Sequence, residues 1–223
     1  MDSGFQFIDI VLLAMVAGFI ALRLRSVLGR RTGEERSSRE LSGRGGTGDD
    51  IAGAEASETA AGRSEAVARL EDDPRLGRAL AAIRRADPQF DVDRFLDGAR
   101  AAYSLILEAF WGGEKETLRR FLSEDVYREF VDVIEARKAA GHTLEARLID
   151  LVDQRITDLA LRDGMVEVTV NFEAEIVSVT RDGEGRVVEG KESDSIRVVD
   201  IWTFARPAAS ADPNWTLVAT HAG

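Results

Sequence analysis

The sequence predicts an α+β domain, with helices packed on a bent four-stranded antiparallel sheet. One N-terminal transmembrane helix and a disordered linker precede it. Three observations carry this reading. Residues Phe5 to Leu24 form an apolar run with no charged side chain from Ile10 to Leu22. A long stretch rich in Gly, Ser, Arg and Glu follows, with no aromatic residue between Ile20 and Gln89. At Gly141 the apolar period then changes from helical spacing to strict alternation.

The first run is long enough to span a bilayer, since about twenty helical residues cover ~30 Å of hydrocarbon. A cleaved signal peptide would carry its positive charges before the run. Here Asp2 precedes it, while Arg23, Arg25, Arg30, Arg31, Arg36 and Arg39 follow. The order predicts an uncleaved anchor, residues 1–24, with the C-terminal side in the cytoplasm. Arg23, Arg25, Arg30 and Arg31 are the candidate membrane-surface basic residues. The 26 Arg against 3 Lys suit a GC-rich genome, and the expected location is a bacterial inner membrane.

Residues 25–73 read as the linker, because their composition cannot bury enough apolar area to offset the ordering entropy. As a flexible coil they would span ~35–42 Å. Gly43, Gly45 and Gly48 satisfy G-x-G-x-x-G, but no strand precedes them and no helix follows, so no dinucleotide site is expected. Asp73-Pro74 then has the chemistry of a helix start, and Leu76, Leu80 and Ile83 give a short amphipathic helix within residues 74–89. Domain, membrane and partner all remain open as its docking site.

Residues 90–223 form the globular domain. Phe95, Ala99, Ala102 and Ile106 make one helical row, and Leu96, Tyr103, Leu107 and Phe110 its neighbour. Gly112-Gly113 ends that helix, and a shorter one carries Leu118, Phe121 and Leu122. Ser123 caps a third helix, with Glu124 and Asp125 in its first turn and Val126, Phe130, Val133 and Ile134 inside. Leu144, Ala146 and Leu148 then alternate, and the phase slips at Ile149, the mark of a bulge or bend. Asp163-Gly164 predicts a hairpin turn. Val166, Val168, Val170, Phe172, Ala174 and Ile176 define the clearest strand. Ile196–Phe204 and Trp215–Thr220 complete the four.

Composition excludes several function classes. There is no cysteine and there are only two histidines, which removes thiol chemistry and multi-histidine metal centres. The net charge of −11 argues against nucleic acid as a partner. Nothing suggests a cofactor: Gly190-Lys191 is followed by Glu192, so no phosphate loop forms. His142 and His221 read as capping or surface residues, and Glu167, Glu173 and Glu175 as a solvated strand face.

The runs FLDGARAAYSLILEAFWGGEKETLRRFLSEDVYREFVDVIEARKAAG (residues 95–141), DIWTFAR (200–206) and PNWTLVAT (213–220) resemble the Tim44-like family. Its eukaryotic member tethers a chaperone to the mitochondrial inner-membrane translocase, and bacterial relatives of the TimA adaptor type place a membrane span and linker before the domain. The resemblance implies a cone-shaped fold similar to nuclear transport factor 2, with an apolar pocket between helices and sheet. Here that pocket would be lined by Tyr103, Phe110, Phe130, Phe172, Trp202 and Phe204. It implies an adaptor that binds a protein segment or an acyl-type ligand, in support of membrane-protein assembly or transport. The client is unidentified, and a homo-oligomer is left open.

Residues 1–80 carry 11 basic against 13 acidic side chains and the remainder 18 against 27, so the domain should be repelled by an anionic leaflet. The rival reading is a small lyase or isomerase with Asp200 as pocket acid/base, because alternation puts Asp200 on the face of Ile196, Val198, Trp202 and Phe204. The packing alternative is a bend that turns Asp200 outward, or an ion pair with an arginine.

Overall fold

A computed structural model describes residues 64–223, which form one unit. The anticipated membrane helix, residues 1–24, and most of the linker lie outside the described residues, as do Arg23, Arg25, Arg30 and Arg31. Among the described residues no helix is long and apolar enough to cross a membrane.

The end of the expected linker is helical. Ser64 Oγ accepts a hydrogen bond from the Val67 amide at 3.2 Å and starts α1 (Glu65–Asp72). Its two apolar side chains, Val67 and Leu70, are buried. So short a segment is a poor helix in isolation, and tertiary packing against the following helices and the strand Thr143–Arg162 supplies what composition could not reveal. Asp73 then caps α2 (Pro74–Ala86), accepting from the amides of Arg75 at 2.7 Å and Leu76 at 3.2 Å. Pro74 sits in the first turn, where no amide donor is needed. Leu76, Leu80 and Ile83 are buried, and α2 docks on the domain rather than standing apart.

Helix α3 (Val92–Gly112) starts on Asp91 and stops at Gly113, whose φ of 72° is left-handed. Helices α4 (Lys115–Arg119) and α5 (Glu124–Ala139) follow, the latter capped by Ser123 Oγ.

All strand pairs are antiparallel. The long hairpin of β1 (Thr143–Arg162) and β2 (Met165–Arg181) turns at Asp163 and Gly164, both at positive φ (51° and 77°). Its register slips at Ile149, as the sequence phase indicates, and again at Val152 and Thr157. β4 (Ile196–Pro207) and β5 (Thr216–Ala222) extend the sheet in the order β1-β2-β4-β5. A fifth strand, β3 (Val187–Gly190), corrects the expected four. Its apolar run is only two valines, so its pairing to the far end of β2 is a product of the hairpin and not of local pattern. At β5, the Leu217 amide donates to the Phe121 carbonyl and the Ser123 amide to the Leu217 carbonyl, tying the start of α5 to the sheet.

Val166, Val168, Val170, Phe172 and Ala174 are fully buried, as their alternation requires. Beyond Ala174 the pattern inverts: Ile176 is half-buried, whereas Val177 and Val179 are covered. Glu192, from the segment between β3 and β4, lies over that end with Arg181 paired to it.

Candidate functional site

Aromatic rings form a continuous column between α3 and the sheet. Tyr103 stacks on Phe172, centroids 4.4 Å apart at 20°, and lies 4.8 Å from Trp202. Trp202 and Phe172 both contact Phe204. Phe204 reaches Phe95 at 6.1 Å, and Phe95 reaches Trp215 at 4.8 Å, with Phe90 beside both. Each such pair adds ~0.5–1.5 kcal/mol beyond its area. Four of the six residues expected to line a pocket are therefore together: Tyr103, Phe172, Trp202 and Phe204. They are at most 3% exposed and pack on one another's rings. Period-two spacing puts a side chain on the inner face but does not say whether its neighbours leave room.

Phe110 and Phe130 form a separate edge-to-face pair at 5.0 Å between α3 and α5. Phe130 is buried, and Phe110 and its neighbour Trp111 are half-buried. The Arg137 guanidinium donates to the carbonyls of Phe110 (3.1 Å) and Trp111 (3.0 Å), closing the C-terminal end of α3. Burial lowers the Arg137 pKa from its ordinary value.

The column carries one polar pair. The Tyr103 hydroxyl donates to Asp200 Oδ2 at 2.6 Å. Asp200 therefore points inward and pairs with a phenol, so neither the outward bend nor the arginine partner of the packing alternative occurs. Burial raises its carboxyl above the usual range, while the Tyr103 hydrogen bond pulls the other way. Tyr103 is pushed up by its own burial and then by the Asp200 charge. In register across the sheet, Gln154, Phe172 and Asp200 form a row. Gln154 donates from Nε2 to the Leu96 carbonyl at 3.1 Å, and its Oε1 is buried with no hydrogen-bond partner. Such a row can accept and donate hydrogen bonds. Among the described residues, no group of three acidic, histidine or cysteine side chains is placed to hold a metal.

The column ends on charges that sequence reasoning missed. Arg206 lies over the Trp215 ring at 4.9 Å and ion-pairs with Asp87, their side chains 12% and 3% exposed. The pair joins the C-terminal end of α2 to β4 across 119 positions, and no local signal could have found it. A shallow cleft of about 370 Å³ opens elsewhere, lined by Glu145, Ala146, Arg147, Val177, Val179 and Glu192.

Residues 76–222 match the Tim44-like domain family. The chain is similar to the mitochondrial import inner membrane translocase subunit TIM44 of Homo sapiens, at 30% identity over 149 residues. That alignment covers 64% of this chain and 32% of the relative, and the Rattus norvegicus protein matches equally at 30%. The Caenorhabditis elegans protein, described as a probable mitochondrial import inner membrane translocase subunit, is 28% identical over 147 residues, 64% of this chain and 34% of the relative. The chain thus spans about a third of the length of the curated relatives it matches. Among solved structures, the intermembrane space region of the chloroplast protein ARC6 has a TM-score of 0.35 at 12% identity, over 56% of this chain and 95% of that one. That likeness is too slight to bear on the fold.

Proposed function

The chain belongs to the Tim44-like domain family, and from that premise we propose that it is a membrane-anchored adaptor whose folded domain holds a client protein at a bilayer. The observation that carries this reading is the family match, which runs from α2 to the end of β5. Relatives named as inner-membrane translocase subunits support both the adaptor role and a non-enzymatic one. Residues 1–24 serve as the single-pass anchor of a bacterial inner membrane. Residues 25–63 are the tether, and residues 64–223 are the client-binding domain on the cytoplasmic side, a cone resembling nuclear transport factor 2.

The six aromatics divide their labour in this reading. Tyr103, Phe172, Trp202 and Phe204 stiffen the domain, and an acyl-type ligand would have to displace them. Phe110, half-buried on Phe130 and adjoining Trp111, offers apolar surface to a protein segment without any opening.

Two measurements on the full chain test the proposal. Alkaline extraction should leave the full chain in the membrane pellet and release residues 64–223; solubilisation of the full chain would end the anchor reading. A photo-cross-linker at position 110 or 111 in intact cells should give a discrete adduct that the same group at exposed Glu184 does not. Equal labelling at all three positions would remove the Phe110 surface as the client site. The lyase or isomerase reading rests on the inward Asp200, and turnover lost in Asp200→Asn would favour it.

A further inference from the structure

Strands β3 and β4 lie one after the other along the same edge of β2. Gly190, the last residue of β3, pairs with Val179, and Ile196, the first of β4, pairs with Ile176. Between those partners β2 has two residues, Val177 and Ser178, while the other side has five, residues 191–195. The surplus cannot lie flat in the sheet. Gly190, at a φ of 77° and with no room for a Cβ beside the Ser178 carbonyl oxygen, turns the chain out of its plane.

What the excursion covers shows which way it goes. Alternation along β2 puts Val177 and Val179 on the face opposite Phe172 and Ala174, away from the aromatic column. Glu167, Glu173 and Glu175 on that outer face are half-buried. Val177 and Val179 are only 8% and 2% exposed, and they share the shallow cleft with Glu192 of the excursion. Among the described residues, the one ion pair that leaves the excursion joins Glu192, 70% exposed, to Arg181. Its other polar contacts are internal: Lys191 with Asp194 at 3.5 Å, the Ser193 hydroxyl donating to Asp194 at 2.9 Å, and the Asp194 amide donating to the Lys191 carbonyl at 3.2 Å. Glu145 of β1, 3.6 Å from the Arg181 guanidinium, competes for the same cation.

We propose that residues 191–195 are a lid over Val177 and Val179, held shut by Glu192 on Arg181 and released by ionic strength. A turn bonded mostly to itself and latched by one exposed ion pair is poised to open, because such a pair is weak and salt screens it. Opening is local and leaves the remaining fold intact. It joins the two valines to Val187, Val188 and Ile196, which stand exposed on the stems of the lid. An apolar surface on the outer side of the sheet is thereby offered or withheld by charge. The device is independent of the adaptor reading.

The chain has no cysteine, so one introduced thiol reports on the lid. Val179→Cys in the full chain, held in detergent micelles, is labelled with a small thiol reagent and the rate is measured. Adding Glu192→Gln should speed labelling about two- to fivefold, the worth of one exposed pair. Salt at about 1 M should speed the single-cysteine chain by a similar factor and leave the Glu192→Gln chain unmoved. Val177→Cys repeats the measurement at a second position, should Val179→Cys disturb the strand. Val168→Cys, fully buried on the inner face, should stay slow throughout. Labelling at both outer valines that ignores Glu192→Gln and salt overturns the proposal. So does acceleration of Val168→Cys in step with them, which would mean that the whole domain opens and not the lid.

Discussion

The Tyr103 hydroxyl reaches across 97 positions to donate to Asp200 Oδ2, the one polar bond in an otherwise aromatic column. Burial holds Asp200 above the usual carboxylate range, and the phenol partly offsets this. A carboxyl whose folded pKa is raised contributes stability that is fully present below its unfolded value and lost as pH rises through the folded value. The Tyr103 bond acts on the ionised form, so its worth runs the opposite way. Tyr103→Phe should cost ~1–2 kcal/mol at neutral pH. The gap from wild type should narrow as pH falls through the raised Asp200 value. Urea denaturation across a pH series reads this, and a gap that widens toward acid would contradict it.

Asp87 and Arg206 make a second long-range contact, of different consequence. Removing one partner leaves a charge stranded beneath α2, so Asp87→Ala should cost ~3–5 kcal/mol. Replacing both, as Asp87→Leu with Arg206→Met, should recover most of that loss, because two apolar groups strand nothing. A double-mutant cycle by chemical denaturation checks the coupling, and additive losses would refute it.

Arg137 closes the end of α3 by donating to two carbonyls. Arg137→Ala should destabilise by ~1–3 kcal/mol. Lysine should rescue only in part, since its single ammonium cannot reproduce the fork of the guanidinium. Thermal unfolding of the three chains gives the ranking.

Gly190 ends β3 at a φ of 77°, and a Cβ there would run into the Ser178 carbonyl oxygen on β2. Gly190→Ala should cost at least ~1–2 kcal/mol from the backbone conformation alone. Hydrogen exchange should localise the loss to β3 and its partner segment of β2, sparing α3. Uniform loss of protection would argue against this placement.

What could be read in advance was the chemistry that acts over three or four residues. Asp73-Pro74 and Ser123 cap helices because a side-chain oxygen meets a nearby amide. Asp163-Gly164 turns because both residues tolerate positive φ, and the slip at Ile149 follows from its broken phase. What escaped depends on partners far along the chain. α1 is a helix because Val67 and Leu70 find a surface to bury against, and β3 is a strand because β2 continues past β4. The inward side of Phe172 and Trp202 was legible. Whether their rings would surround a space or close it depended on Tyr103 arriving from α3 to stack on them.

Kinship and packing draw the upstream border of this domain in different places. The family match opens at residue 76, inside α2, whereas among the described residues buried apolar side chains are present from Val67 onward. A fragment trimmed to the homologous segment would start mid-helix, stripped of the Asp73 cap and of the two side chains that cover α2 from above. Its Leu80 and Ile83 would sit under a fraying turn, and a chain cut that way would misreport the robustness of the whole.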